Sequence, residues 1–92
     1  VRIINQWGTA DIPYSSVMVF VNNDASSKIY ASSMYDMFND LPLGEYNSAE
    51  DAMYVMKCLR RAVERVEDYF LMPGADYVPI MRQKGKGGES NG

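Results

Sequence analysis

Histidine is absent from this chain of 92 residues, and Cys58 is its only cysteine. The first absence removes the side chain that most often acts as general acid or base near neutral pH, and with it every Ser–His and Cys–His nucleophile pair. The second excludes an intrachain disulfide framework and any zinc site built from Cys and His ligands, and it fits a reducing compartment. Cys58 falls well inside a helical stretch, away from an N-terminus or base that would activate it, and reads as a spectator. Asp24, Asp36 and Asp40 lack calcium-loop spacing, and neither a Walker A sequence nor G-x-G-x-x-G occurs. The chain is therefore expected to be no enzyme and to need no cofactor or metal. Long apolar runs are missing as well. Nothing approaches the roughly 18 residues that cross a bilayer, and no basic opening followed by an apolar stretch marks a secretory signal. With 9 basic against 12 acidic residues the formal charge is −3, so neither long nucleic acid nor an anionic membrane is an expected partner, and any anion site must be local.

What the chain does have is a block, residues 47–70, with helical character. Asn47 and Ser48 are good N-cap residues, and Glu50 or Asp51 can return a carboxylate to the free N–H groups of the first turn. Ala52, Val55, Met56, Leu59, Val63, Val66 and Phe70 recur at steps of three and four, which puts them on one buried side. Pro73-Gly74 is the expected stop. On another side Tyr54, Cys58, Arg61 and Arg65 follow one another at the same spacing, flanked by Lys57 and Arg60. An aromatic ring beside cations can hold a nucleotide, so Tyr54, Lys57, Arg60, Arg61 and Arg65 are the candidate ligand-binding residues. The alternative is a solvated face whose long side chains lay their stems on apolar surface.

Before the helix the pattern is that of strands. Residues 2–5 read as a short strand, Trp7-Gly8 as a turn, and Ile12-Pro13-Tyr14 as extended, since a residue before proline is pushed out of the helical region. Residues 17–21, Val-Met-Val-Phe-Val, form the strongest strand, apolar on both faces and so either central in a covered sheet or half of a subunit interface. Residues 23–27 are a turn that returns residues 28–31 antiparallel. Residues 34–38 fit either a helical turn or an irregular strand. Residues 41–46 are a strand whose Pro42 and Gly44 suggest an edge or a bulge. Residues 77–81 are read as extended. The expected fold is α+β: a small antiparallel sheet of about four strands with one long C-terminal helix packed on it. It forms a single domain over residues 1–81, followed by a disordered, basic, Gly-rich tail over 82–92. Seven Tyr and seven Met in so small a domain suit contact surfaces as well as cores, so a homo-oligomer is expected. The rings of Trp7, Tyr14, Tyr30 and Tyr35 can stack on a base or simply pack.

Two stretches also resemble a known group. Residues 2–14 match the start R-I-I-x-Q-x-G-x-x-D-[IL]-P-Y of many small proteins encoded by phages and prophages of Gram-positive bacteria. Residues 43–52, followed by Met56 and Leu59-Arg60, resemble their second block, Y-x-S-x-E-x-A leading into M-x-x-L-R. Arg60 is the one candidate site residue that falls on that motif. The resemblance implies phage origin and action in the host cytoplasm. The first Thoeris anti-defence family looks like a neighbour of this group; its members sequester cyclic ADP-ribose-type signals, and some hold cyclic oligonucleotides, at sites between subunits. What this implies here is a sponge that binds a cyclic nucleotide immune signal without cleaving it. A protein-directed inhibitor of host defence, such as an anti-CRISPR or anti-restriction factor, and a phage accessory protein without a ligand remain the alternatives.

Overall fold

Short apolar segments separated by turn residues build two three-stranded sheets here, where a single sheet of about four strands was the expectation. The computed structural model describes residues 1–21, 27–33 and 40–91, with side chains as far as Lys84. Residues 23–26 of the expected turn and the ambiguous stretch 34–38, including Tyr35, lie outside the described residues. In the first sheet, β1 (Arg2–Ile4) lies between β2 (Asp11–Pro13), antiparallel, and β6 (Tyr69–Leu71), parallel. A single 3-10 turn, Tyr14–Ser16, leads into the second sheet. That sheet is an antiparallel meander of β3 (Val17–Val21), β4 (Lys28–Ser33) and β5 (Asp40–Glu45). The class is α+β as expected, but the fold also contains a parallel pair and two helices, α1 (Ala49–Glu64) and α2 (Val78–Asn91).

The expected irregularity in β5 is present. Ile29 pairs with Gly44 and Tyr30 with Pro42, which leaves Leu43 as the extra residue of a bulge. The bulge frees the Leu43 carbonyl to accept the Gln6 N–H at 2.7 Å. The Gln6 side chain continues the join: Nε2 donates to the Glu45 carbonyl at 3.1 Å and the Pro73 carbonyl at 3.1 Å, while Oε1 accepts the Glu45 N–H at 3.0 Å. One amide side chain thus mimics a strand residue and ties the two sheets together. Beside it, the Tyr46 hydroxyl donates to the Pro73 carbonyl at 2.9 Å. Burial, with Cys58 as a lesser cause, pushes the Tyr46 phenol far above its ordinary range, so this donor keeps its proton.

Helix α1 starts where its cap residues say it should. Ser48 Oγ accepts the Asp51 N–H at 3.1 Å, a cap worth about 1 kcal/mol. Ala52, Val55 and Leu59 are buried as expected, and Ala62 joins them; Met56 and Val63 are only half-buried. These residues close over Ile3, Ile29, Leu43, Met72 and Val78 to form the core.

The end of the helix departs from the periodic pattern. It stops at Glu64, and the stripe does not extend to Phe70, which belongs to β6. Arg65 is the C-cap and Val66 turns left-handed at φ 54°. The Glu67 N–H then reaches back to the Ala62 carbonyl and the Val66 N–H to the Val63 carbonyl, both at 3.1 Å, which is a Schellman stop. Pairing of residues 69–71 with β1 wins over continuing the helix, and Pro73-Gly74 lies beyond that strand. Val66 is an unusual residue for the position, since left-handed backbone costs an L-residue roughly 1–2 kcal/mol, and at 80 % exposure its side chain gains little in return. Val66→Gly is therefore expected to stabilise the protein by about 0.5–1 kcal/mol after the extra unfolded-state entropy of glycine. That gain should raise the thermal midpoint by roughly 2–8 °C, and a lowered midpoint in calorimetry would contradict the strain.

Residues 77–81 are not extended: Val78 begins α2, with Pro79 in a first turn whose N–H groups have no helical partner anyway. The composition-based boundary at 81/82 falls inside this helix. Among the described residues no helix is long and apolar enough to cross a membrane.

Candidate functional site

Helix α1 carries four of the five candidate residues, with Arg65 as its C-cap, but it divides them. Tyr54 and Lys57 line a groove between α1 and α2 of about 340 Å³, shared with Ala49, Glu50, Met53 and Arg82. Tyr54 is half-buried and its hydroxyl makes a long hydrogen bond of 3.5 Å to the Met81 carbonyl, bridging the two helices. Arg60, Arg61 and Arg65 do not line that groove; they lie further along α1, exposed, with Arg65 at its C-cap.

Arg82 governs the charge of the groove. Its Nη1 donates to the buried Asp51 Oδ1 at 2.6 Å and its Nη2 to Glu50 Oε2 at 3.1 Å. Asp51, whose side chain is 4 % exposed, thus spends its carboxylate on α2 rather than on its own helix start. These contacts neutralise Arg82 and fix the start of α2 to the start of α1, which makes the groove structural at that end. The cation it offers a ligand is Lys57.

The further cations stand differently. Arg2 pairs with Asp11 at 3.4 Å, Lys28 with Glu45 at 3.7 Å and Arg82 with two acids. Lys57, Arg60, Arg61 and Arg65 are exposed and have no ion-pair partner among the described residues. At 1.5 Å per residue they occupy roughly 12 Å of helix. Arginines near a helix C-terminus also complement its dipole, by about 0.3–1 kcal/mol each. That effect accounts for their place in the last turns and leaves their guanidinium donors open.

Cys58, one turn on from Tyr54, is half-buried. Burial pushes its thiol up, while a hydrogen bond with Tyr54 and the charge of Arg61 pull part of that back. The thiol is held protonated, in keeping with a packing role.

Other candidate features do not assemble. Trp7 is exposed in the turn after β1, Tyr14 packs against the core, and Tyr30 stacks on Phe20 with centroids 5.9 Å apart, so the rings form no common platform among the described residues. No group of three His, Cys, Asp or Glu that could hold a metal occurs among the described residues. Sequence reasoning misses one feature, an apolar hollow of about 430 Å³ beside β6, lined by Phe70, Leu71, Met72, Tyr77 and Met81. It exists only because residues 69–71 are a strand rather than a helical turn. No protein-family model matches the chain, and searches of curated proteins and of solved structures return no match.

Proposed function

We propose that the protein is a phage-encoded sponge, which binds a cyclic nucleotide immune signal in the host cytoplasm and sequesters it without cleaving it. The observation that carries this reading is the row Lys57, Arg60, Arg61 and Arg65: four exposed cations without an acidic partner among the described residues, on a chain whose formal charge is −3. Guanidinium groups bind phosphate through paired, charge-assisted hydrogen bonds. Tyr54, one turn before Lys57 and Cys58, lines the adjoining groove. A single helix face is a shallow site, so the ligand is held between two copies of the chain, each contributing its row. The absence of histidine removes the side chain that most often serves as general base near neutral pH, in keeping with binding without cleavage.

Calorimetry with cyclic ADP-ribose isomers and with cyclic di- and trinucleotides tests this. Arg61→Glu should abolish binding while changing stability by less than about 0.5 kcal/mol, as an exposed substitution does. A charge-assisted contact is worth roughly 1.5–3 kcal/mol, or about 10- to 150-fold in affinity, and the reversed charge adds repulsion. Arg60 and Arg65 variants should weaken binding by smaller factors, and ligand recovered after heat denaturation should be intact. Wild-type protein that binds none of these nucleotides ends the reading.

The hollow beside β6 supports a second reading, inhibition of a host protein. Tyr69, Leu71 and Tyr77 are exposed around or beside it, and apolar surface of this kind suits a protein partner.

A further inference from the structure

Among the described residues four strand edges close the two sheets, and three of them are protected. The β2 edge is three residues long and carries Asp11 and Pro13; the β6 edge is also three residues long; the β5 edge has Pro42, the bulge at Leu43 and the charges of Asp40 and Glu45. Shortness, proline, charge and bulges are the means by which monomeric proteins stop their edges from pairing with other chains. The β3 edge has none of them. Val17–Val21 is five residues of regular strand without charge, proline, glycine or bulge. Among the described residues nothing pairs with its outer side.

We infer that β3 pairs antiparallel with β3 of a second copy, about a two-fold axis through Val19, to join the two meanders into one six-stranded sheet. The strand itself names the occupant. Val-Met-Val-Phe-Val reads the same in both directions apart from the exchange of Met for Phe. Pairing centred on Val19 sets Val17 against Val21 and Met18 against Phe20 of the second copy, and leaves every side chain on the face it already occupies. Val17, Val19 and Val21 continue the core-facing side, where they already pack against the buried cluster. Met18, 56 % exposed, lies over Phe20 of the second copy beside the Phe20–Tyr30 stack. Neutral side chains run from residue 12 to residue 23, so no like charges meet across the axis. Because that axis is perpendicular to the sheet, both α1 helices lie on the same side of it. The pairing gives the oligomer of the proposed function its contact surface, yet it is tested without any nucleotide.

Sedimentation velocity at micromolar concentration should give the wild type twice the chain mass of 10.4 kDa. Met18→Lys with Phe20→Lys, and separately Met18→Glu with Phe20→Glu, should each sediment as a monomer, and an equal mixture should recover the dimer, because unlike charges then face each other at both sites. In the wild type, amides on the outer side of β3 should exchange faster on dilution while those of the central strand β4 do not. A monomeric wild type, a dimer whose mass neither variant changes, or β3 amides indifferent to dilution would overturn the pairing. The dilution series decides the matter even if the variants fold poorly.

Discussion

Gly44→Ala is expected to destabilise the protein by about 2–4 kcal/mol, a large share of the roughly 5–14 kcal/mol available to a domain of this size. A methyl group on Gly44 would stand 2.7 Å from the Tyr46 hydroxyl oxygen and 2.9 Å from its Cε2. The far end of an exposed tyrosine would swing aside at small cost. Tyr46 is buried, and its hydroxyl is committed to the Pro73 carbonyl, so the ring moves only by breaking that hydrogen bond and disturbing the core around it. Overpacking contributes about 1–3 kcal/mol and the lost hydrogen bond about 1. Gly74→Ala is the matched control, since nothing lies within 4 Å of its added methyl. Urea denaturation followed by circular dichroism compares the two, and equal midpoints would show that Tyr46 is freer than its surroundings imply.

Asn5→Ala should cost about 2–3 kcal/mol for a different reason. Asn5 is 2 % exposed, and its side chain closes the turn between β1 and β2. Oδ1 accepts the N–H groups of Thr9 at 2.8 Å and Ala10 at 3.1 Å, and Nδ2 donates to Thr9 Oγ1 at 2.9 Å. Truncation leaves two backbone donors without an acceptor, and the half-buried Ala10 N–H is the harder of them for water to reach. Leaving such groups unmet costs more than the net worth of a hydrogen bond. Thr9→Ala, which removes only the donation from Nδ2, should cost about 1 kcal/mol or less. Amide exchange in β2 would also rise in the Asn5 variant. A variant as stable as Thr9→Ala would mean that solvent satisfies the turn.

Much of the fold is legible locally. β3 shows in its β-branched residues, β5 in its breakers Pro42 and Gly44, and the start of α1 in Ser48. What stays hidden depends on distant pairing. Tyr69-Phe70-Leu71 continues the helix period, and only its register with Arg2–Ile4 makes it a strand, which no window of neighbouring residues can show. Arg82 stands among glycines and lysines and reads as tail, although Pro79 just before it is a usable mark of a helix start. The candidate site is half legible: the spacing brings Tyr54 and Lys57 together, but not the fact that Arg82, rather than Arg61, completes their groove. The resemblance to phage proteins rests largely on structural residues. Arg2 and Asp11 pair with each other, Gln6 and Tyr46 join the sheets, and Gly8 turns at φ 71°.

The parallel seam between β1 and β6 also sets an order of events during synthesis. The β3–β5 meander pairs strands that are neighbours in the chain and can form while the chain is still growing. β1 is made first yet lacks one of its two neighbours until α1 has been completed and residue 71 has emerged. Pairings between residues so far apart in the chain slow folding. Ile3, fully enclosed in the finished protein, is in the meantime open to water and to other chains. The ribosome and its associated chaperones therefore meet an unfinished sheet whose central strand came out first.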